Sequence, residues 1–275
     1  MGKSLLPFLS CLFFFVSAQA QRISNASVNK KKEDKIEKRN RINEMIRNEE
    51  EGIAGFNKHF IFNFKTHHDG YGIILEKGIA KTPYKSTIFQ LEFAEKQHPK
   101  ENKQSSTDFT NAGFAIFGRP FVYGKQNIFY QTKLGAGQQI MIGGKSNKNG
   151  VAVYGILVGG FSAGLARPYY LEFNVPSGSQ KLKFTEKNRA IFLSADKIIG
   201  GTGLQLGWNE MKFIPGAYGK ASLRFDWARF NQVVSAMEFG FGFDYYTSGV
   251  VQMVDNPAKS FFPTGYIGLV FGNRK

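Results

Sequence analysis

The stretch Met237-Glu238-Phe239-Gly240-Phe241-Gly242-Phe243-Asp244-Tyr245-Tyr246 alternates large apolar residues with glycine and carboxylates. A period of two belongs to a strand, whose successive side chains point to opposite faces. Met237, Phe239, Phe241, Phe243 and Tyr245 share one face; Glu238, Gly240, Gly242, Asp244 and Tyr246 share the other. In a soluble sandwich the apolar face turns inward and the polar face meets water. In a membrane barrel the apolar face meets lipid and the polar face lines the lumen. Large aromatics opposed to glycine mixed with charge favour the second arrangement. So does the length of the run, since ~9–11 tilted residues cross a bilayer.

The same alternation recurs along the chain. Phe60, Phe62 and Phe64 oppose His59, Asn63 and Lys65; Tyr71, Ile73 and Leu75 oppose Gly72, Ile74 and Glu76. Phe89, Leu91 and Phe93 oppose Gln90, Glu92 and Ala94, and Ala221, Leu223, Phe225 and Trp227 oppose Lys220, Ser222, Arg224 and Asp226. Eight strands result, near 57–65, 71–80, 85–95, 126–139, 150–165, 218–228, 231–247 and 261–272. A hairpin within Lys181–Ser194 would raise the number to ten. An open sheet edge cannot exist in lipid, so the sheet must close. The expected fold is all-β: a transmembrane, antiparallel, up-and-down β-barrel. An even count puts both ends on one side, with short links near 82, 147 and 229. The long links 96–125 and 166–217, the second read as irregular, then fall on the other side, outside the cell.

One stretch invites another reading. Residues 149–166 carry no charge and include Gly155-x-x-x-Gly159, a transmembrane-helix candidate by length and packing motif. Its five glycines (150, 155, 159, 160, 164) are costly in a helix interior, and one helix would strand the amphipathic strands around it.

Ahead of the barrel, Lys3, the apolar run Leu5–Ser17 and Ala18-Gln19-Ala20 form a secretory signal pattern. Residues 1–20 are therefore read as a signal peptide, 21–54 as a charged, partly helical periplasmic arm, and 55–275 as the barrel with its long extracellular loops. The alternative, an uncleaved anchor, would hold the chain in the inner membrane. The single cysteine, Cys11, lies in the removable segment, which excludes a disulfide framework, a cysteine-based zinc site and a cysteine nucleophile. The formal charge is +15, from 36 Lys plus Arg against 21 Asp plus Glu. In an exported chain that excess suits anionic lipopolysaccharide better than nucleic acid.

The candidate site is a lumen charge network of Lys65, Glu76, Glu92, Lys133, Lys220, Arg224, Asp226, Glu238 and Asp244. Two readings compete: a charged channel or catalytic carboxylate pair, or mutual neutralisation inside a barrel too narrow to conduct. Eight strands enclose little more than their own side chains, and a wide pore needs ~16. Buried charge must be paired, which favours neutralisation. His67-His68-Asp69 reads as a solvated turn before it reads as a metal site, because adjacent side chains point apart. Gly200-Gly201-Thr202-Gly203 lacks the Lys-Ser/Thr pair of a phosphate loop and reads as a flexible loop. His98-Pro99-Lys100-Glu101, at the outer mouth, would fix a loop by salt bridges or contact lipopolysaccharide phosphates. No catalytic set, cofactor or metal is expected.

Several segments in order resemble a group of Bacteroidota outer-membrane β-barrel proteins of unassigned function. They are His68-Asp69-Gly70-Tyr71-Gly72, Glu92-Phe93 leading to His98-Pro99-Lys100-Glu101, and Tyr123-Gly124-Lys125-Gln126-Asn127. Arg167-Pro168-Tyr169-Tyr170-Leu171, Phe213-Ile214-Pro215-Gly216-Ala217-Tyr218 and Tyr266-Ile267-Gly268-Leu269-Val270-Phe271-Gly272 complete the set. The resemblance implies location and fold, not chemistry. Within it, Tyr266, Ile267, Leu269 and Phe271 look like the terminal signal read by the outer-membrane insertion machinery. The tail Gly272-Asn273-Arg274-Lys275 departs from the usual aromatic end. The expected function is a structural or interaction role, as an accessory or subunit of a cell-envelope assembly. Its partners would be outer-membrane lipid, lipopolysaccharide, the insertion machinery and an envelope protein. The alternatives are a small-solute or ion pore and an enzyme acting on outer-leaflet lipids.

Overall fold

The computed structural model describes residues 32–40, 56–109, 115–145, 150–176, 178–229 and 232–275. The signal segment 1–20, and the arm 21–54 apart from 32–40, lie outside the described residues. The chain divides into two compact units, Met1–Glu51 and Gly52–Lys275. In the first, residues 32–40 form a solvent-exposed helix, as their dense mixed charge favours.

The second unit is a closed eight-stranded antiparallel barrel. Its strands are β1 (Lys58–His67), β2 (Gly70–Thr82), β3 (Lys85–Lys96), β4 (Asn127–Gly143), β5 (Ala152–Pro168), β6 (Lys212–Asp226), β7 (Val233–Val250) and β8 (Lys259–Arg274). Each strand pairs with its neighbours in sequence, and β1 pairs with β8 to close the ring, setting Phe62 opposite Phe271 and Phe64 opposite Leu269. Closure leaves no unpaired ladder, as hydrocarbon requires. β5 runs through the uncharged stretch read as a helix candidate, and no helix among the described residues is long and apolar enough to span a membrane. Lys181–Ser194 adds no ninth or tenth barrel strand; Gly178–Lys183 pairs with Tyr170–Val175 in a separate small sheet, and Arg189–Phe192 is helical.

The two faces of the wall differ as a membrane barrel requires. Leu134, Leu157, Phe161, Phe239, Phe241, Phe243, Ile267 and Leu269 are exposed on the outside, Phe161 by 80%. Their strand neighbours Lys133, Val158, Ser162, Glu238, Asp244 and Tyr266 are buried inside. This is the inversion of a soluble core, so the barrel spans a membrane. The interior is not wholly polar. Ile61, Val234, Ala236 and Val270 form a small apolar patch, and Ile88, Ile156, Val158 and Tyr218 another.

The two ends of the barrel differ. The short links 83–84, 144–151 and 227–232 lie at one rim, the short-turn end. The links 97–126, 169–211 and 251–258 lie at the other. The expected irregular region 166–217 is instead largely ordered. Tyr170–Val175 lies between Gly178–Lys183 and Ile198–Gly201 in a three-stranded sheet. Phe121, Tyr169, Leu171, Phe173, Phe192, Ile198 and Val254 pack with Ile128 into a core of their own. The Val254 amide donates to the Gly124 carbonyl at 2.8 Å, tying the links together. They form an ordered cap on the barrel.

Depth along the wall sets the cost of outward charge. Phe241 lies midway along the outward stripe of β7, and Val233 at its short-turn rim. Phe241→Lys should cost ~2–4 kcal/mol and Val233→Lys only ~0–1, read as urea-unfolding midpoints in lipid vesicles. Equal costs at both positions would contradict a lipid-facing wall.

Candidate functional site

The lumen is filled by layers of charge, each built from the inward-facing residues of several strands. Nearest the short-turn rim, Asp226 accepts from Arg274 and from the Ala228 amide at 2.9 Å, with Lys145 Nζ at 3.9 Å. Next comes Arg224, which is fully buried. Its Nη1 and Nη2 each donate to Glu76 at 2.8 Å, and its Nε and Nη2 donate to Glu238 Oε2 at 3.0 and 2.8 Å. Glu76 also accepts from Gln90 at 2.5 Å and meets His59 Nε2 at 3.0 Å. Glu238 accepts from Asn63, Ser222 and the Tyr266 hydroxyl, the last at 2.7 Å.

The third layer centres on Glu92. Lys65, Lys133 and Lys220 approach it at 2.6, 3.1 and 3.2 Å, and Lys133 also pairs with Asp244 at 2.6 Å. Three ammonium groups against two carboxylates leave one positive charge. In the Arg224 layer one guanidinium faces two carboxylates, a remainder of opposite sign. The layers offset each other, and Tyr266 joins them. Its hydroxyl is on Glu238, and its ring lies 5.1 Å from Lys65 Nζ and 5.7 Å from Lys220 Nζ. The ring needs Gly240 beside it: a Cβ there would lie 2.5 Å from the Tyr266 ring. Glycine on the inward face thus makes room for the tyrosine.

Toward the cap, Lys96 donates to Asp69 at 2.7 Å and to Thr264, while His67 Nδ1 lies 2.8 Å from Asp69 Oδ1. Phe129, Tyr246 and Phe262 form an aromatic stopper with ring centres 5.3–5.8 Å apart. A cavity of about 10 Å³ remains among Lys65, Glu92, Lys133, Tyr218, Lys220 and Asp244. That is room for about one water. The Glu92 and Asp244 carboxylates are the counter-ions of the three lysines.

All nine residues of the expected network are buried and face the lumen. The structure brings eight of them into two joined layers and sets Asp226 with Arg274 at the rim. The expected network left out His59, Gln90, Lys96, Tyr266 and Arg274, which also bond to its carboxylates or beside them. Strand parity points His59 and Tyr266 inward, because they alternate with Phe60 and Ile267. Of the four residues read as an insertion signal, Ile267, Leu269 and Phe271 face outward, whereas Tyr266 is buried in the lumen.

The turn 67–69 is not wholly solvated. His67 is buried against Asp69, while the His68 side chain is 60% exposed. Burial pushes the Asp69 carboxyl up, but hydrogen bonds and charge from His67 and Lys96 outweigh it and hold the group well below the usual carboxylate range. A depressed carboxyl contributes stability fully above pH ~4, losing it as pH falls through the folded value. This tie between turn and wall therefore holds at neutral pH. Glu101 accepts from Lys125 at 2.5 Å and from the His98 amide at 2.9 Å, so the 98–101 segment does fix a loop. Gly200 and Gly201 lie in a strand packed against Arg119 and Pro120, and Thr202 bonds the Tyr170 carbonyl; the expected flexible loop is ordered. Among the described residues, no three His, Cys, Asp or Glu are grouped to hold a metal.

No family model matches the chain, and no curated relative matches it. Among solved structures, it is similar to Ail, the attachment invasion locus protein of Yersinia pestis, in complex with the heparin analogue sucrose octasulfate. Identity is 11% over 79% of this chain and 95% of that one, with a TM-score of 0.33. It is also similar to the N-terminal β-barrel domain of Pseudomonas aeruginosa OprF (10% identity, 79% and 98% coverage, TM-score 0.33). Neisserial surface protein A gives 9% identity, 79% and 94% coverage and a TM-score of 0.37. These likenesses are distant. The fold assignment rests on the strand pairing and the two faces of the wall.

Removing one partner from a buried ionic layer leaves the others uncompensated, at a cost of ~3–5 kcal/mol. Glu92→Gln should lower the urea midpoint accordingly, and adding Lys65→Met should recover part of the loss. A double variant no more stable than Glu92→Gln alone would show that the layer is not held by charge balance.

Proposed function

We propose that the chain is an integral outer-membrane barrel with a structural or interaction role, as an accessory or subunit of a cell-envelope assembly. The observation that carries this reading is the filled lumen: charge layers and an aromatic stopper occupy it, and the cavity among Lys65, Glu92 and Lys133 has room for about one water. A barrel so sealed is an anchor more readily than a conduit. What it anchors is the cap, which has its own apolar core and is bound to the wall where Asn127 donates to the Val251 carbonyl and Gln252 to the Lys96 carbonyl. In this orientation the short turns face the periplasm and the cap faces outward. Membrane lipid and lipopolysaccharide surround the wall, and the outward stripe Ile267-Leu269-Phe271 of β8 serves as the insertion signal.

Purified protein in a planar bilayer should give a flat current trace; stepwise conductance would favour the pore reading. Extraction in mild detergent should retain an envelope protein in fixed ratio. Replacing residues 169–211 with a short linker should release that protein while the barrel stays heat-modifiable on a gel. Failure to recover any partner under gentle extraction would count against the assembly role.

A further inference from the structure

Arg167 occupies an unusual place. On β5 it follows Phe161, Ala163 and Leu165 on the outward face, yet it is only 1% exposed. The segment 203–210 covers it. The Trp208 ring stacks on Tyr130 at 6.0 Å and 11°, and the guanidinium carbon lies 4.6 Å from the Trp208 ring centre and 5.7 Å from that of Tyr130. The carbonyls of Leu204, Leu206 and Gly203 accept from its Nη atoms at 3.3, 3.4 and 3.5 Å. Among the described residues it has no carboxylate partner within ion-pair distance, and its Nε is buried without a hydrogen bond. Ring faces and carbonyl dipoles hold this cation in place.

The segment is pressed against the wall. Gly207 has a φ of +91°, and a Cβ there would lie 2.7 Å from the Pro168 carbonyl oxygen and 3.3 Å from Arg167 Cγ. Only glycine meets both demands. Glu210 of the segment turns to the cap, accepting from Tyr170 at 2.9 Å and pairing with Lys183. Its Leu204 and Trp208 side chains are open to the outside. Leu204 is 66% exposed and Trp208 47%, and Phe213, at the cap end of the outward stripe of β6, is 66% exposed. Phe213 pairs in register with Leu165, two residues before Arg167. The apolar outer wall thus continues beyond the strands onto this segment.

From that continuity we infer that residues 203–210 form a membrane-docking strap. Leu204 and Trp208 rest in the boundary between headgroups and acyl chains of the leaflet at the cap rim, with Arg167 as the peg that holds the strap down. The occupant of this surface is membrane lipid, since the strap extends a face that already meets lipid. A tryptophan with an apolar body and a bonded N–H suits that boundary; here the N–H donates to the Leu204 carbonyl. The strap fixes the orientation of the cap to the membrane plane. The inference rests on the membrane-barrel reading.

The chain has two tryptophans, so each can be isolated. Trp227 is exposed at the short-turn rim and reports on the barrel; Trp208 reports on the strap. Trp227→Phe and Trp208→Phe variants are reconstituted in phosphatidylcholine vesicles containing lipids brominated near the headgroup or near the chain end. Trp208 emission should be quenched more by the shallow label than by the deep one, and weakly by aqueous iodide. Emission indifferent to both lipids and fully open to iodide, with Trp227 still quenched by lipid, would overturn the strap and leave the barrel standing. If neither tryptophan responds to lipid, the barrel reading fails and takes the strap with it. In the Trp208-only background, Arg167→Gln should abolish lipid quenching and open Trp208 to iodide. Gly207→Val, which lifts the strap without touching the lumen, should do the same. Unchanged depth in both variants would overturn the peg.

Discussion

The pairing of charge inside the lumen is what the rest of the structure depends on. A barrel of eight strands must fill its own interior, and here the filling is ionic. Glu92 and Asp244 among three lysines leave a positive remainder, and Arg224 between two glutamates leaves a negative one. Neither layer is balanced alone; stacked, they are. The wall can present almost nothing but hydrocarbon and aromatic rings outside because the charged residues of seven strands, all but β5, turn inward to this network. The glycines on the inward face follow from the same constraint, since rings such as Tyr266 must lie flat against the wall. Buried ion pairs add little stability in total, but any unpaired member is costly. The network therefore specifies register: a slip of one residue would send Glu92 and Arg224 into lipid and bring phenylalanine inside.

The barrel was legible in the sequence because its signal is geometric. The alternation at Phe239-Gly240-Phe241 or Phe60-Ile61-Phe62 needs no tertiary knowledge to be read. Nine charged residues of the lumen followed from parity alone, and the opposed ionic layers were foreseen only as general neutralisation. Parity also pointed His59 and Tyr266 inward, but a histidine or a tyrosine carries no mark of which carboxylate it will meet. That pairing depends on stagger between strands far apart in sequence, such as Glu76 of β2 and Arg224 of β6.

The cap was read least well, for a physical reason. Its strands are short, its helical turns have four residues or fewer, and its core draws on three separate links. No periodicity survives over such lengths. Gly200-Gly201 looked like slack and is instead a close-packed strand. Arg167 closes an apolar run, and nothing in its sequence neighbours marks it as buried. Its burial depends on Trp208, a residue forty-one positions on, brought back by a glycine turn that sequence spacing does not reveal.

The seam between β1 and β8 has a consequence for how the molecule comes into being. Phe62 finds Phe271 across nearly the whole length of the barrel sequence, so the first strand waits for the last. Until then both edges carry open ladders and the greasy outer stripes have no lipid to face. Such a chain is a hazard to itself in water, because loop closure over that distance is slow and exposed edges invite pairing with strangers. The architecture thus favours shutting the ring in one concerted step, at the place where hydrocarbon is at hand.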